Sequence, residues 1–136
     1  MDRAKILVVD DESRMRKLVR DFLVREGYNV LEAEDGVEAM DIFYEEKDIS
    51  LLILDVMMPR MNGLDAARTI REMKRRDARR VPIIAMSANA FAEDIINSRL
   101  AGMNVHLAKP LDAEKMIVAL KQCMADNSDV KLHEDL

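Results

Sequence analysis

The sequence predicts an α/β fold built on a parallel sheet. Short apolar runs of three or four residues alternate with longer stretches of helical period, a pattern typical of a sheet that helices cover on both faces. Hydrophobic residues make up 49% of the 136-residue chain and charged residues 35%, which suits one ordinary folded domain and argues against disorder. We therefore expect one compact core.

Five apolar runs are the candidate strands. They are short and bounded by polar residues, as buried strands of a parallel sheet are, and the second run is the weakest of them. The runs are Ile6–Val9, Tyr28–Leu31, Leu51–Leu54, Ile83–Met86 and Val105–Leu107. We expect these segments to form the sheet.

The first of five predicted helices begins near Ser13. It ends at Gly27, because glycine suits the residue that follows a helix C-terminus. Apolar residues recur within it at the spacing of a core-facing helix side. They are Leu18, Val19, Phe22 and Leu23.

The second predicted helix runs from Val37 to about Glu46, after the turn residues Asp35 and Gly36. Apolar side chains again share one side of it, namely Ala39, Met40 and Phe43. Three further helices complete the set, at Leu64–Arg76, Ala90–Ala101 and Ala113–Met124. The chain turns polar from Asp126, so we predict one domain over residues 1–125 and a polar C-terminal tail or linker over 126–136.

Charge and cysteine content exclude several kinds of protein. A formal net charge of −5 argues against direct binding to nucleic acid, and no apolar segment is long enough for a membrane span. A basic run from Arg71 to Arg80 is interpreted as a solvated helix face. The single cysteine, Cys123, cannot form an internal disulfide, and the N-terminus lacks a signal-peptide pattern, so we expect a cytoplasmic location.

Polar residues follow four of the five predicted strands. The carboxyl ends of parallel strands meet at one edge of a sheet, and ligands of open α/β sheets bind there. We therefore expect these side chains to lie at a shared edge. They are Asp10 and Asp11, Asp55, Ser87 and Lys109.

If the first and third strands are neighbours, three carboxylates crowd together and need a cation to balance their charge. Magnesium is suited to this role, because it prefers oxygen ligands and takes one or two carboxylates together with a phosphate. A carboxylate can attack phosphorus to form an acyl phosphate, while a lysine and a hydroxyl stabilise the phosphoryl oxygens. Asp55, Lys109 and Ser87 match these needs.

These motifs closely resemble the receiver domains of bacterial two-component response regulators. The resemblance extends from Lys5 to about Met124, and its motifs occur in the order and at the spacing of that family. It implies a flavodoxin-like, doubly wound fold with five strands in the order 2-1-3-4-5. The motifs are Asp10-Asp11-Glu12, Asp55 through Asn62-Gly63, Ser87-Ala-Asn-Ala90 and Lys109-Pro110.

The resemblance also implies a role for each site residue. Asp55 resembles the phosphoacceptor and a magnesium ligand, and Asp10 and Asp11 resemble the acidic pair that holds the ion. The backbone carbonyl of Met57 resembles the third protein ligand. Lys109 resembles the lysine that pairs with the phosphoryl group, and Ser87 resembles the hydroxyl that moves toward it.

One position departs from the family pattern, and two others leave the rate of acyl-phosphate hydrolysis open. His106 stands where many family members have tyrosine or phenylalanine, so the aromatic rotamer switch of those members does not carry over to this chain. Two roles of His106 are open, a pH-sensitive one and an ordinary polar contact. Met57 and Asn89 resemble positions that tune the lifetime of the acyl phosphate. The resemblance also implies a cis Lys109-Pro110 bond, which is the less common form even before proline.

The predicted function is that of a phosphorelay signalling domain, not an enzyme with a turned-over substrate. A histidine kinase or histidine phosphotransfer protein would donate the phosphoryl group, a downstream protein would receive the signal, and the chain would be a monomer or a phosphorylation-dependent dimer. A free-standing regulator and a piece of a hybrid histidine kinase are both open. The main alternative, a haloacid-dehalogenase-like phosphohydrolase, needs an aspartate two residues after Asp55, where this chain has Met57.

Overall fold

The computed structural model describes residues 3–58, 61–88, 92–109 and 112–134. Its centre is a parallel five-stranded sheet with the order β2-β1-β3-β4-β5, as the family resemblance implies. Each predicted strand is present, and each observed strand is longer than the predicted run. They are β1 (Lys5–Val9), β2 (Asn29–Ala33), β3 (Ile49–Asp55), β4 (Ile83–Ser87) and β5 (Val105–Ala108).

Six helices occur within the described residues. Five are long and one is a short piece of five residues. They are α1 (Ser13–Arg25), α2 (Gly36–Glu45), α3 (Gly63–Glu72), α4 (Arg76–Arg80), α5 (Ala92–Leu100) and α6 (Ala113–Glu134). Among the described residues, no helix has both the length and the apolar character needed to cross a bilayer.

The sheet separates two apolar layers. Alternate residues of a strand point to opposite faces, so Leu7 and Val9 pack with α2, α3 and α4, whereas Ile6 and Val8 pack with α1 and α6. Strands β1, β3 and β4 are almost completely buried on both faces. This burial explains why their sequences are continuous apolar runs instead of alternating ones.

The predicted helix over 64–76 is wrong in its C-terminal part. The five predicted helices correspond to the five long helices, and the short helix α4 is an addition that the sequence does not predict. Helix α3 ends at Glu72, because Met73 adopts an extended conformation (φ −64°, ψ 143°) and its side chain packs against the core. Arg75 is also extended, and the chain then makes the separate short helix α4. Side-chain contacts across this break, described below, hold the two helices together.

Two other predictions differ from the structure. Leu18, predicted to face the core, is 67% exposed, whereas Val19 and Leu23 of the same helix are buried. Helix α6 continues to Glu134, beyond the predicted end at Met124. The domain boundary at residue 125 stays a prediction. Asn89 and Pro110 lie outside the described residues, so the predictions for Asn89 and for the Lys109-Pro110 bond stay untested.

Strand register aligns the four polar strand ends. Val9 pairs with Leu54, Asp55 with Met86, and Ser87 with Ala108. The residues that follow β1 and β5 are Asp10 and Lys109. The fold therefore brings the predicted site residues to one edge of the sheet.

Candidate functional site

Asp10 and Asp11 form the turn between β1 and α1. Asp10 is completely buried, and its Oδ1 accepts a hydrogen bond of 2.9 Å from the backbone N–H of Glu12. The Arg16 guanidinium donates to the Asp10 carbonyl oxygen at 2.8 Å. Asp11 is exposed. The turn thus holds one acid inside the site and presents the next acid at its rim.

Asp55 ends β3, and its side chain lies almost entirely out of solvent. The backbone N–H of Met57 donates to its Oδ1 at 3.1 Å. Helix α3 begins directly against this segment, since Gly63 N–H donates to the Val56 carbonyl at 3.1 Å and a Cβ at Gly63 would overlap the carbonyl oxygen of Asp55. The position therefore requires glycine to bring α3 this close to Asp55.

Lys109 supplies the positive charge of the site. Its Nζ lies 2.9 Å from Asp10 Oδ2 and 3.3 Å from Asp55 Oδ2. Burial alone would lower the pKa of Lys109, but the two neighbouring carboxylates outweigh burial and raise it. The lysine is therefore a stable cation, and its backbone N–H also donates to the Ser87 carbonyl at 2.7 Å.

Burial raises the pKa of the Asp55 carboxyl from its ordinary value of 3.8 to about 6. The negative charge of Asp10 acts in the same direction, while the Met57 N–H and the Lys109 ammonium oppose it. Lys109 therefore compensates only part of the cost of holding two buried carboxylates together.

The acidic group has the donor set for a divalent cation. One carboxylate oxygen each from Asp10, Asp11 and Asp55 lies within 4.8 Å of the others. Asp10 Oδ2 is buried and lies 2.9 Å from the Lys109 ammonium. Three carboxylates against one ammonium leave an excess of negative charge, and hard oxygen ligands of this kind suit magnesium.

Ser87, at the end of β4, is only 5% exposed. Its Oγ lies 2.7 Å from Nε2 of His106 on the neighbouring strand β5. The other ring nitrogen, Nδ1, lies 3.0 Å from Oγ of Ser98, which is 2% exposed on helix α5. Two serines on different elements therefore hold the imidazole ring of His106.

The structure brings Asp10, Asp11, Asp55 and Lys109 together, and Lys109 joins Ser87 to them through the backbone. Met57 is 74% exposed through its side chain and contacts Asp55 through its N–H, so the predicted role of its carbonyl oxygen stays a prediction. The sequence does not predict Arg16 or Ser98 as contributors to the site and its surroundings, because no local motif marks them. Gly63 ends the Asp55 motif, but its close approach to Asp55 is seen only in the structure.

Comparison with known proteins agrees with this architecture. The family model described as the response regulator receiver domain matches residues 6–121. A chemotaxis protein CheY homolog of Campylobacter jejuni is 36% identical over 125 residues, covering 91% of this chain and 95% of the relative. Chemotaxis protein CheY1 of Helicobacter pylori is 37% identical over 124 residues, covering 90% of this chain and 98% of the relative.

A solved structure shares both fold and sequence. The receiver domain of sensor histidine kinase PA1611 from Pseudomonas aeruginosa, which has a magnesium ion coordinated in its active site cleft, superimposes with a TM-score of 0.82 at 31% identity. The match covers 92% of this chain and 99% of that domain. None of these relatives supports the phosphohydrolase alternative. On the evidence of the matched family model, the fold and these relatives, the chain belongs to the response regulator receiver domain family.

Proposed function

We propose that this receiver domain accepts a phosphoryl group on Asp55 from a phosphohistidine. The observation that carries the proposal is the contact of Asp55 Oδ2 with Lys109 Nζ at 3.3 Å, inside a cluster of three carboxylates. A nucleophilic carboxylate, a fixed cation and a set of metal ligands are the parts that phosphoryl transfer to an aspartate needs. The family's signalling role is consistent with this assignment.

In the proposed reaction an oxygen of Asp55 forms a bond to phosphorus as the bond from phosphorus to the donor imidazole breaks. Lys109 is placed to bind a phosphoryl oxygen, because its Nζ already lies beside the attacking carboxylate. Asp10 holds Lys109 from the other side at 2.9 Å. The Ser87 hydroxyl would donate a hydrogen bond to a second phosphoryl oxygen. The backbone hydrogen bond from Lys109 N–H to the Ser87 carbonyl keeps the ends of β4 and β5 together.

Asp10, Asp11, Asp55 and the carbonyl of Met57 would hold the magnesium ion. When bound, the ion balances the excess carboxylate charge and polarises the phosphoryl group. The three carboxylate oxygens that lie within 4.8 Å of one another support this assignment, because the single positive charge of Lys109 does not balance three carboxylates.

Receiver domains exchange signals with histidine kinases or phosphotransfer proteins and with downstream targets. For this chain we propose a cytoplasmic histidine kinase or histidine phosphotransfer protein as the donor and a protein as the target. Phosphorylation would act by shifting the balance between two packings of the domain.

The test is the intact mass of the purified chain after incubation with magnesium and acetyl phosphate. We expect the wild-type chain to gain the mass of one phosphoryl group. We expect no gain when magnesium is chelated before acetyl phosphate is added, and none in Asp55→Asn. Asp41→Asn is the matched control, because Asp41 is an exposed acid on α2 outside the site. A phosphoryl group that appears equally in Asp55→Asn would show that another residue is the acceptor.

A further inference from the structure

The ring of His106 lies between two serines whose backbones are themselves held in place. The Ser87 carbonyl accepts from Lys109 N–H at 2.7 Å, and the Ser98 carbonyl accepts from Met103 N–H at 3.0 Å. Both hydroxyls are almost completely buried. Because a hydrogen bond fixes the backbone of each serine, the two hydroxyl contacts restrict the position of the His106 ring.

The hydrogen-bonding capacity of these groups limits how they can be arranged. A serine hydroxyl has one proton to donate and can also accept, and a neutral imidazole has one donor and one acceptor nitrogen. If the Ser87 hydroxyl donates a hydrogen bond to His106 Nε2, the same proton cannot be shared with a phosphoryl oxygen. If Nε2 carries the proton, the ring donates to Ser87 Oγ and does not take up the hydroxyl proton.

We propose that His106, held by Ser98, is a positioning residue that orients the Ser87 hydroxyl toward the phosphoryl group. In the phosphorylated state Nε2 of the His106 ring carries a proton and donates a hydrogen bond to Ser87 Oγ. When the ring in that state is neutral, Nδ1 carries no proton and accepts a hydrogen bond from the Ser98 hydroxyl. This inference rests on the proposed function, because it assigns the phosphoryl group to Asp55.

The arrangement also connects the phosphorylation site with helix α5. Ser98 is near the C-terminal end of α5, and His106 pairs with Ala85 in the sheet, on the strand that carries Ser87. A change in the donor direction at Ser87 therefore reverses the donor direction at Ser98 when the ring stays neutral. A phenylalanine or tyrosine ring offers no such relay, since it has no pair of nitrogen atoms to hold two hydroxyls.

The first experiment identifies the protonated nitrogen directly. The chain has two histidines, His106 and His133, so imidazole ¹⁵N resonances are few and His106→Gln assigns them. Magnesium and beryllofluoride serve as the probe, because beryllofluoride mimics a phosphoryl group on a carboxylate. We expect a protonated Nε2 in the loaded protein. An unprotonated Nε2 in that state would overturn the proposal.

The second experiment is a double-mutant cycle on beryllofluoride affinity, measured by calorimetry with magnesium present. His106→Phe removes one hydrogen bond to Ser87, so we expect binding to weaken about three- to tenfold. His106→Gln keeps a donor on a side chain of similar reach and should retain most of the affinity. In a Ser87→Ala background the effect of His106→Phe should disappear. An equal effect in both backgrounds would show a merely structural role.

Ser98→Ala tests the support of the ring, with Ser50→Ala on β3 as the matched control. We expect Ser98→Ala alone to weaken beryllofluoride binding and to shift the Nδ1 resonance. Unchanged affinity and an unchanged Nδ1 resonance would remove Ser98 from the proposal. Failure of the wild-type chain to bind beryllofluoride, or equal binding by Asp55→Asn, would instead contradict the proposed function itself.

Discussion

Two charged regions of this molecule differ in how their charges are satisfied. At the carboxyl ends of the strands, Asp10, Asp11 and Asp55 crowd around one cation, Lys109. In the region of α3 and α4, two arginines are instead matched by oxygen acceptors. The first region keeps an excess of charge that a ligand can balance, and the second is complete within the described residues.

Arg71 shows what a complete arrangement looks like. Its guanidinium donates to the Gly102 carbonyl at 2.8 and 3.0 Å, to the Ala78 carbonyl at 3.0 Å and to Asn104 Oδ1 at 3.0 Å. Burial lowers the pKa of Arg71, but these contacts compensate the cost of removing the guanidinium from water. The expectation that Arg71 belongs to a solvated helix face is therefore wrong.

Arg75 is also used structurally. It donates to the Phe43 carbonyl at 2.8 Å, pairs with Asp77 at 2.6 Å and lies 4.7 Å from the centroid of the Phe43 ring. These contacts stabilise the extended conformation of Arg75 between α3 and α4. The two arginines are paired with protein oxygen atoms and therefore stabilise the fold, whereas the unbalanced negative charge of the three carboxylates indicates a binding site for a cation.

The largest expected effect comes from removing the one cation of the site. Lys109→Met leaves Asp10 and Asp55 without their shared ammonium, so we expect phosphorylation by acetyl phosphate to slow on the order of 100-fold or more. The rate of mass gain per folded molecule measures this. Lys115→Met is the control, because Lys115 is an exposed lysine on α6. A slowing of less than about fivefold would show that Lys109 does not contact the transferring group.

Arg71→Met should change stability and leave phosphorylation intact. It leaves the carbonyls of Ala78 and Gly102 without their charged donor, so we expect the free energy of unfolding to fall by roughly 2–3 kcal/mol. Arg68→Met on the same helix removes only the half-exposed pair with Asp65 at 3.3 Å and should cost less than about 1 kcal/mol. Urea denaturation compares the two variants. Equal losses of unfolding free energy in Arg71→Met and Arg68→Met would show that the buried contacts of Arg71 are no more stabilising than an exposed ion pair.

Asp55→Asn should stabilise the metal-free protein above pH 6. The pKa of Asp55 rises from 3.8 to about 6 on folding, so the folded state is favoured by this group below about pH 4 and loses that advantage as the pH rises through 6. Asparagine removes the buried charge, and we expect a gain of roughly 1–3 kcal/mol at pH 8 that shrinks toward pH 4. Denaturation with a chelator at both pH values measures the difference. A gain that is the same at pH 4 and pH 8 would exclude charge burial as its cause.

The smallest effect is expected at an exposed ion pair. Lys5 and Glu46 lie 3.2 Å apart with about a third or more of each side chain exposed. Lys5→Met should therefore lower the free energy of unfolding by less than about 1 kcal/mol, and high salt should reduce the loss further. Denaturation at two salt concentrations checks this. A loss as large as that of Arg71→Met would mean that exposed and buried charges do not differ in the way proposed.

The fold class, the five strands and the identity of the polar strand ends can all be predicted from the sequence. Hydrophobic periodicity is a local property of a segment, and Asp10, Asp55, Ser87 and Lys109 each follow an apolar run in the sequence. The strand order came from the family resemblance, because register between distant strands is not encoded in any one segment. The prediction that Leu18 faces the core fails for a similar reason: its spacing in the helix fits either the edge of the core or the solvent-exposed side, and sequence alone does not distinguish the two.

Which charges are satisfied depends on contacts that form only on folding. Arg71 and Arg75 belong to one basic run in the sequence, but their acceptors lie on distant elements, Gly102 after α5 and Phe43 on α2. His106 likewise contacts Ser87 on β4 and Ser98 on α5, which precede it by 19 and 8 residues. Hydrogen bonds act over about 3 Å in space whatever the separation in sequence, so their partners appear only once the chain is folded.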